Sequence, residues 1–432
     1  MSEDIYIYNV RLVDRDMDTP GSLLIRDGVI AGVFREGEYT DTAGDMVGAR
    51  LVNADGAILM PAFVDMHAHF RDPGFTQKED LVSGSQAAAA GGYATVVLMA
   101  NTNPVVSDRA VACEIRSRAT GMRFPDVFQA VSLTRDFDGC DTTALAHLDP
   151  AEIPLVSEDG REVASAAVMF DALSLCAKTG VLVSCHCEDP TLAQRAKELR
   201  TAALADPANS AEHYTQAESL LRLAEDLMTE RNLSLADAAG CRIHIAHVST
   251  RSSLAAVFAA KKRRAGVSCE VTPHHLALTA REAEIVNPPL RFDEDRQALI
   301  QGLIDGTIDA IATDHAPHTE SDKRSGAPGF SGIQTAFPVC NTILVRAGHL
   351  SLSALSKIMS ANPAGLLGLH RGLLQVGMDA DVVLLDANAP ISIDPTADSW
   401  LSRGKNTPFA GKRFYGAIRA TLRRGVLLFG TF

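Results

Sequence analysis

Eight apolar, strand-like runs separated by helical stretches predict an α/β protein whose central part is a (β/α)8 barrel of the TIM type. Two further observations accompany this pattern. Short strands and turns occupy both ends of the chain, and polar segments rich in histidine, aspartate and asparagine follow most of the central runs. Because the functional side chains of such barrels gather at the carboxyl ends of the strands, these polar segments are the candidates for a site.

The central strands are predicted from short apolar runs, and helical stretches lie between several of them. This alternation is typical of parallel strands joined by helical crossovers. The predicted strands are 62–66, 94–99, 127–131, 153–156, 181–184, 243–246, 267–271 and 308–312. The predicted helices are 85–90, 164–178, 215–230, 252–262 and 295–305.

The two ends of the chain predict a second, smaller unit. Asp-Gly and similar turn sequences separate short β-rich runs there. We expect both ends to pair into one small β-rich domain, which gives residues 1–60 and 371–432 to that domain and residues 61–370 to the catalytic barrel. The predicted strands of the small domain are 5–8, 22–25, 29–33, 380–386, 417–421 and 426–429.

The composition argues against several classes of function. The chain has 432 residues, 46% of them hydrophobic and 22% charged, and no stretch is long and apolar enough to cross a bilayer. Its formal net charge is −13, and lysine and arginine form no long block, so neither nucleic acid nor a membrane is an expected partner. An acidic protein acting on an anionic small molecule needs a local positive site.

The chain predicts a reducing environment. It begins with Met1, Ser2, Glu3 and Asp4 and lacks a basic and then apolar leader, so secretion is not expected. Eight cysteines form no CxxC pair and no disulfide framework spacing, which suits free thiols. We therefore expect the protein in the cytoplasm.

Two histidines and an arginine close the first central run. On a strand, His67 and His69 project to the same face, and Arg71 follows two residues later. Two imidazoles on one side can hold a metal ion, and a guanidinium beside them can hold an anion. At this spacing alone, a partly buried histidine pair without a ligand is an equal alternative.

Four further candidates follow other runs: Asp159 after the fourth, His186 after the fifth, His247 after the sixth and Asp314 after the eighth. A single histidine or aspartate at a strand end is usually a hydrogen-bonding or turn-capping group. Together with the first pair, however, four histidines and two aspartates stand at the same predicted end of five strands. Such convergence is what a metal site requires.

Imidazole and carboxylate ligands suit zinc, with manganese or cobalt as substitutes. Six ligands exceed one tetrahedral site, so two ions that share a bridging carboxylate are the economical arrangement. A water between two ions has its pKa lowered from about 15.7 toward 7, which makes it a hydroxide nucleophile at neutral pH. A nearby carboxylate can move its proton. This chemistry fits the hydrolysis of an amide, often a cyclic one, or the reverse reaction.

The motifs along nearly the whole chain resemble those of the type I dihydroorotases of the amidohydrolase superfamily. The matching segments are 67–74 (HAHFRDPG), 101–104 (NTNP), 158–160 (EDG), 186–189 (HCED), 247–250 (HVST), 287–291 (NPPLR), 314–318 (DHAPH), 377–381 (GMDAD) and 406–411 (NTPFAG). Two segments depart from the pattern. Glu158 stands where the family usually has aspartate, and residues 327–332 are rearranged around Phe330.

The resemblance implies a zinc-dependent, reversible cyclisation of N-carbamoyl-L-aspartate to (S)-dihydroorotate in the de novo synthesis of pyrimidines (UMP), with a metal-bridging hydroxide as nucleophile. It implies two Zn²⁺ ions, one held by His67, His69 and Asp314 and one by His186 and His247, with Asp159 as the bridge. Asp314 is also the implied general base and acid. The implied substrate-binding residues are Arg71, His69, Asn101, Asn287, His318, Pro328 and Gly329.

Other functions stay open at this point. A hydantoinase or dihydropyrimidinase-like cyclic amidase shares the chemistry, but several such relatives bridge their metals with a carboxylated lysine, and residues 153–157 before Asp159 contain none. A catalytically silent partner of aspartate transcarbamoylase is the second alternative, and the complete set of ligands argues against it. We expect a homodimer, and association with aspartate transcarbamoylase stays open.

Several other candidates receive no site role. By strand alternation His244 points away from His247, into the core or to the surface. His274 and His275 have no metal role in the resembling family. Cys185 and Cys187, which flank His186, are expected to be small buried packing residues.

Overall fold

The structure, a computed structural model, describes residues 3–37, 48–120, 124–205, 209–282 and 284–432. Its strands are β1 (Ile5–Asp14), β2 (Met17–Arg26), β3 (Val29–Arg35), β4 (Arg50–Asn53), β5 (Ile58–Pro61), β6 (Phe63–Ala68), β7 (Tyr93–Leu98), β8 (Asp126–Gln129), β9 (Leu155–Ser157), β10 (Leu182–Cys185), β11 (Ile243–Ile245), β12 (Val267–Val271), β13 (Ala310–Ile311), β14 (Val382–Ser392), β15 (Arg413–Arg423) and β16 (Val426–Gly430).

The α-helices are α1 (Leu81–Ala90), α2 (Arg109–Thr120), α3 (Ala166–Thr179), α4 (Pro190–Ala205), α5 (Ser210–Ala239), α6 (Arg251–Arg263), α7 (Pro273–Ala277), α8 (Asp293–Ile304), α9 (Glu320–Arg324), α10 (Ala336–Cys340), α11 (Leu352–Ser356) and α12 (Asn362–Leu366). Short 3-10 turns span Arg135–Phe137, Thr143–His147, Ala280–Glu282 and Ile333–Thr335, and π-helical turns span Asn341–Arg346 and Lys357–Ala361. Within the described ranges, no helix is both long and apolar enough to cross a bilayer.

The central strands are parallel and form two sheets, in the orders β6-β7-β8 and β13-β12-β11-β10-β9. They coincide with the eight predicted runs, so the predicted α/β class with parallel strands is confirmed. Isolated parallel bridges join the two sheets at both of their edges. One bridge pairs Val131 with Val156, and the other pairs Ala68 with His315.

The parallel strands are buried on both faces because alternate side chains enter two different cores. On one face, Ile243 and Ile245 of β11 pack in a cluster with helix residues such as Val257. On the other face, Leu182 and Ala310 belong to a second cluster that lies between the strands. The apolar runs of the sequence therefore fit strands of a parallel sheet, since both faces of each strand contact apolar partners.

Strands from the two ends of the chain lie in one further sheet, in the order β16-β15-β14-β5-β1-β2-β3, with β4 paired to β1. The two ends meet where β5 pairs antiparallel with β14, from Ile58 opposite Leu385 to Pro61 opposite Val382. Because β6 begins two residues after β5 ends, this sheet leads directly into the first strand that carries metal-ligand candidates.

Candidate metal centre

Each predicted ligand lies at or just beyond the carboxyl end of a parallel strand. His67 belongs to β6 and His69 follows it, while the others follow β9, β10, β11 and β13. His247 and Asp314 have left-handed backbone conformations, with φ of 32° and 46°, and Arg71 has φ of 59°. Non-glycine residues adopt this region at a cost of about 1–3 kcal/mol, and such residues cluster at functional sites.

The carboxylate of Asp159 is the point on which the imidazoles converge. Its Oδ1 lies 3.2 Å from His67 Nε2, 3.4 Å from His186 Nδ1 and 3.6 Å from His247 Nε2. Its Oδ2 lies 3.6 Å from His69 Nε2. The structure therefore brings the four predicted histidines around one predicted carboxylate, although they come from three different strands.

Asp314 completes this group from the opposite side. Its Oδ1 lies 3.1 Å from His69 Nε2 and 3.7 Å from His67 Nε2. Burial disfavours the charged carboxylate, but the hydrogen bond from His69 and the charge of His67 outweigh this effect, so the pKa of Asp314 is lowered from its ordinary value. Asp159 has a lowered pKa for similar reasons, since burial is outweighed by His67, His186 and His247.

These residues fit a divalent metal ion. One ligand atom each from His67, His69 and Asp314 lies within 4.8 Å of the others, and the same holds for His67, Asp159 and His247. Both ring nitrogens of His67 are buried and neither has a partner with hydrogen-bond geometry, including the inward Nε2. A buried polar atom without a partner costs free energy, and a metal ion removes that cost while balancing the two carboxylates.

The ring nitrogens that face away from this centre contact oxygen acceptors. Asn101 Nδ2 donates to Asp159 Oδ2 at 3.0 Å, so its Oδ1 accepts from His69 Nδ1 at 2.9 Å. Glu188 Oε2 accepts from His186 Nε2 at 2.9 Å. In both rings the outer nitrogen carries the proton, which leaves the inner nitrogen free to bind a metal.

Arg71 and His318 lie next to each other beside the centre. Arg71 is half-buried, its Nε donates to Pro317 O at 3.3 Å, and its Nη2 lies 3.3 Å from His318 Nε2. His318 Nε2 donates to Pro328 O at 2.9 Å, so its Nδ1 can accept from Lys78 Nζ at 3.4 Å. Burial and the charges of Arg71 and Lys78 lower the pKa of His318 to about 3, which keeps this imidazole neutral.

The other predicted substrate-binding residues lie beside His186 and His318. Asn287 Nδ2 donates to Glu188 Oε2 at 2.8 Å, next to His186. The Gly329 N–H donates to Ile285 O at 3.1 Å, and the Pro328 carbonyl accepts from His318. Backbone binding of substrate by Pro328 and Gly329 therefore competes with existing hydrogen bonds, and it stays a prediction.

Sequence reasoning missed three residues around the centre: Lys78, Glu188 and Glu270. His244, which was expected in the core or at the surface, is buried in the core, where its Nε2 lies 3.1 Å from Glu270 Oε2. Glu270 Oε1 in turn lies 3.3 Å from His67 Nδ1. A glutamate inside the fully buried β12 was the available sign, because a charged group in a strand buried on both faces requires a partner.

Comparison with known proteins agrees with this geometry. The family model described as "Amidohydrolase family" matches residues 58–428. This chain belongs to the amidohydrolase family. Among its members, a dihydroorotase of Clostridium botulinum (strain Eklund 17B / Type B) is 39% identical over 98% of this amidohydrolase and 98% of its own length. A dihydroorotase of Caldanaerobacter subterraneus subsp. tengcongensis is 37% identical over 93% of this chain and 92% of its own.

The solved structures similar to this amidohydrolase include an L-hydantoinase (dihydropyrimidinase) from Arthrobacter aurescens. It superposes with a TM-score of 0.85 at 27% identity, over 99% of this chain and 96% of its own. The predicted resemblance to the dihydroorotases of the amidohydrolase superfamily is thus confirmed, and the chain is an enzyme of the cyclic amide hydrolase type.

Proposed function

We propose that this amidohydrolase is a zinc-dependent dihydroorotase that interconverts N-carbamoyl-L-aspartate and (S)-dihydroorotate in de novo pyrimidine synthesis. The observation that carries the proposal is the convergence of four histidine rings on Asp159, each within 3.6 Å of its carboxylate. Full-length identity of 37–39% to dihydroorotases supports the choice of substrate.

In this proposal His67, His69 and Asp314 would hold one zinc ion, His186 and His247 would hold a second, and Asp159 would be shared between the two. Bound zinc would polarise the substrate carbonyl and lower the pKa of water, so that a hydroxide is available at neutral pH. Six candidate ligands support a proposal of two ions per subunit, since one tetrahedral site uses four.

Asp314 is the proposed general base and acid. Its lowered pKa keeps the carboxylate ionised and ready to accept a proton in the hydrolytic direction. The proton on its Oδ atom then passes to the ring nitrogen that leaves the carbonyl carbon. In the direction of cyclisation the same carboxylate takes the proton from the attacking carbamoyl nitrogen.

The substrate carboxylate is proposed to bind to Arg71, Asn101 and His318. A guanidinium binds a carboxylate through two parallel hydrogen bonds. Neutral His318 has one N–H, which donates to Pro328 O in this structure and would turn to the substrate carboxylate on binding. Asn287 lines the pocket beside His186. His69 contacts the substrate as well as the metal, and Pro328 and Gly329 contribute backbone atoms.

A hydantoinase-type activity is the second candidate, because a solved L-hydantoinase (dihydropyrimidinase) shares this fold at 27% identity. Two observations favour the dihydroorotase. First, Asp159 takes the bridging role for which several cyclic amidases use a carboxylated lysine. Second, Arg71 offers a positive group that suits the carboxylate of dihydroorotate, whereas hydantoin and dihydrouracil have no carboxylate to pair with it. The complete set of ligands also disfavours a silent partner of aspartate transcarbamoylase.

The larger organisation follows as part of the same proposal. We propose that the eight parallel strands close into a barrel within residues 61–370, as the bridges Ala68–His315 and Val131–Val156 support. Residues 1–60 and 371–432 would form the small β domain, supported by the pairing of β5 with β14. We further propose a cytoplasmic homodimer, with a small molecule rather than a nucleic acid or a membrane as its ligand.

The test is a comparison of substrates with the zinc-loaded protein. Dihydroorotate, hydantoin and dihydrouracil are supplied at equal concentration, and ring opening is followed by the loss of ultraviolet absorbance. We expect a kcat/KM for dihydroorotate at least about 100-fold above the others, since the missing carboxylate removes a charged contact and leaves Arg71 unpaired. A preference for either neutral ring would overturn the choice of substrate.

A further inference from the structure

Three polar side chains lie beneath the metal-ligand candidates, on the strand face that points away from the helices. His244 lies on β11, and Ser268 and Glu270 lie on β12, where His244 pairs in register with Ser268. Their neighbours along the two strands, Ile245 and Cys269, pack instead in the core shared with the helices. The strand alternation therefore places these polar groups in the space between the parallel strands.

Glu270 contacts two histidines with its two oxygens. Oε1 lies 3.3 Å from His67 Nδ1, and Oε2 lies 3.1 Å from His244 Nε2. His244 Nδ1 in turn lies 2.8 Å from Ser268 Oγ. The Glu270 residue is 1% exposed, so water does not compensate its charge. A buried carboxylate costs several kcal/mol of folding free energy unless positive partners balance it. A glutamate that served only the fold would therefore be destabilising at this position.

We propose that Glu270 is a positioning residue for the metal centre. From its 3.3 Å approach to Nδ1 of His67, it would accept the proton on that nitrogen in the metal-loaded centre and so direct Nε2 towards the metal, while His244 holds the second carboxylate oxygen. The inference rests on the proposed zinc-binding function and adds a residue to it. A carboxylate behind a histidine ligand fixes the ring's orientation and proton position and makes the ligand nitrogen more basic.

The position of His67 makes this contact matter more than those of its neighbours. His67 is the one histidine that belongs to both candidate ligand groups of the described residues. Its inward Nε2 lies 3.2 Å from Asp159 and 3.7 Å from Asp314, between the two carboxylates. A rotation of this ring would therefore disturb the ligands on both sides. His69, by contrast, is held by the neutral amide of Asn101.

The test replaces Glu270 with glutamine and measures metal binding directly. Zinc affinity is obtained by competition with a chromogenic chelator, and the visible spectrum of the cobalt-substituted protein reports ligand geometry. We expect Glu270→Gln to weaken zinc binding about 10–100-fold and to change the cobalt spectrum. Asp295→Asn is the matched control. Asp295 is another buried carboxylate, its Oδ1 accepts from Arg222 Nη1 at 2.9 Å and from the Arg251 N–H at 3.0 Å rather than from a histidine, and its variant should keep the wild-type zinc affinity.

A zinc affinity within twofold of wild type, together with an unchanged cobalt spectrum, in Glu270→Gln would overturn the inference, whatever the rate of turnover. If that variant does not fold, Glu270→Asp, which keeps the charge and withdraws it by one methylene, replaces it with the same expectation. A third measurement needs no variant. In the zinc-loaded wild-type protein, nitrogen-15 NMR should find His67 protonated on Nδ1, and protonation on Nε2 contradicts the proposal.

These outcomes are separable from those of the proposed function. Wild-type protein that binds zinc and opens dihydroorotate, together with an unaffected Glu270→Gln variant, removes only the role of Glu270. Wild-type protein that opens hydantoin in preference to dihydroorotate changes the substrate but leaves the metal measurements to decide about Glu270.

Discussion

At the scale of single residues, the proposed reaction depends most directly on Asp314, its general base and acid. Asp314→Asn keeps the shape of the side chain and removes the base. We expect kcat to fall by at least about 100-fold, in the range that general acid–base groups supply, with the fold retained. Turnover and zinc content are measured together, and Asp398→Asn, at an exposed position, serves as the control. Rates near those of wild type in Asp314→Asn would remove the assigned role.

Glu162 makes stability depend on pH. Burial raises its pKa from 4.5 to about 7, although Arg231, His186 and Asn232 act in the opposite direction. Between these two values the folded protein binds the proton more tightly than the unfolded chain. The contribution of Glu162 to stability is therefore complete below about pH 4.5 and is lost as pH rises through about 7, by up to about 3 kcal/mol.

Glu162→Gln tests this linkage. The glutamine does not titrate, so the variant should gain stability relative to wild type when the pH is raised from 5 to 7.5. Urea unfolding at the two pH values measures the change. If the difference in unfolding free energy between variant and wild type is the same at both pH values, the raised pKa of Glu162 is contradicted.

Residue chemistry also explains what the sequence could predict of the centre. His67 and His69 stand out because two histidines with strand spacing end an apolar run, and Asp159, His186, His247 and Asp314 stand after similar runs. Glu270 and His244 do not, because each sits inside a run and their proximity depends on the register between β11 and β12. That register is a tertiary property, and no local pattern of the chain encodes it.

At the scale of elements, Asn406 ties together the loops beside the substrate-binding candidates. Its Oδ1 accepts from the His318 N–H at 3.0 Å and from Ser331 Oγ at 2.9 Å. Its Nδ2 donates to Ala316 O at 3.2 Å and to Gly329 O at 3.0 Å. One side chain from the C-terminal part of the protein thus holds the segment after β13 in place.

We expect Asn406→Ala to raise KM for dihydroorotate about tenfold, because a displaced His318 would lose roughly one hydrogen bond to the charged substrate. The effect on kcat should be smaller, and the zinc content should not change. Steady-state kinetics and metal analysis measure the three quantities. Asn388→Ala, at an exposed position whose Oδ1 accepts from Arg346, is the matched control. An unchanged KM in Asn406→Ala would show that this loop is held without Asn406.

Elements were predicted well where their pattern is local. All eight central runs became strands, since an apolar run bounded by polar turns needs no distant information. Helix lengths were less accurate: the predicted helix 215–230 lies inside α5 (Ser210–Ala239), which continues through polar residues to a left-handed Gly240. Packing against α4 and α6 stabilises these extra turns, and the hydrophobic periodicity of the segment itself does not contain that information.

At the scale of the whole molecule, Arg371 links the sheet of the chain ends to the parallel strands. Its guanidinium lies 2.8 Å from Asp126 of β8 and 2.9 Å from both Asp379 and Asp381, which precede β14. It also donates to Thr95 Oγ1 of β7 at 2.7 Å. This buried arginine therefore balances three carboxylates at the junction between the two parts of the fold.

Arg371→Met should destabilise the protein by about 3–5 kcal/mol, because removing one member of a buried ion network leaves the others uncompensated. Arg424→Met removes an arginine that is 56% exposed and 3.2 Å from Asp379, and should cost less than about 1 kcal/mol. Thermal and urea unfolding of the zinc-loaded proteins compare the two. Equal stability of both variants would mean that the junction does not depend on this network.

The most direct measurement of the central claim is turnover of dihydroorotate before and after removal of metal, with the metal content of the same samples. Chelation should abolish turnover, and added zinc should restore it in proportion to binding, up to about two ions per chain. A metal-free protein that opens dihydroorotate at the original rate would contradict the account.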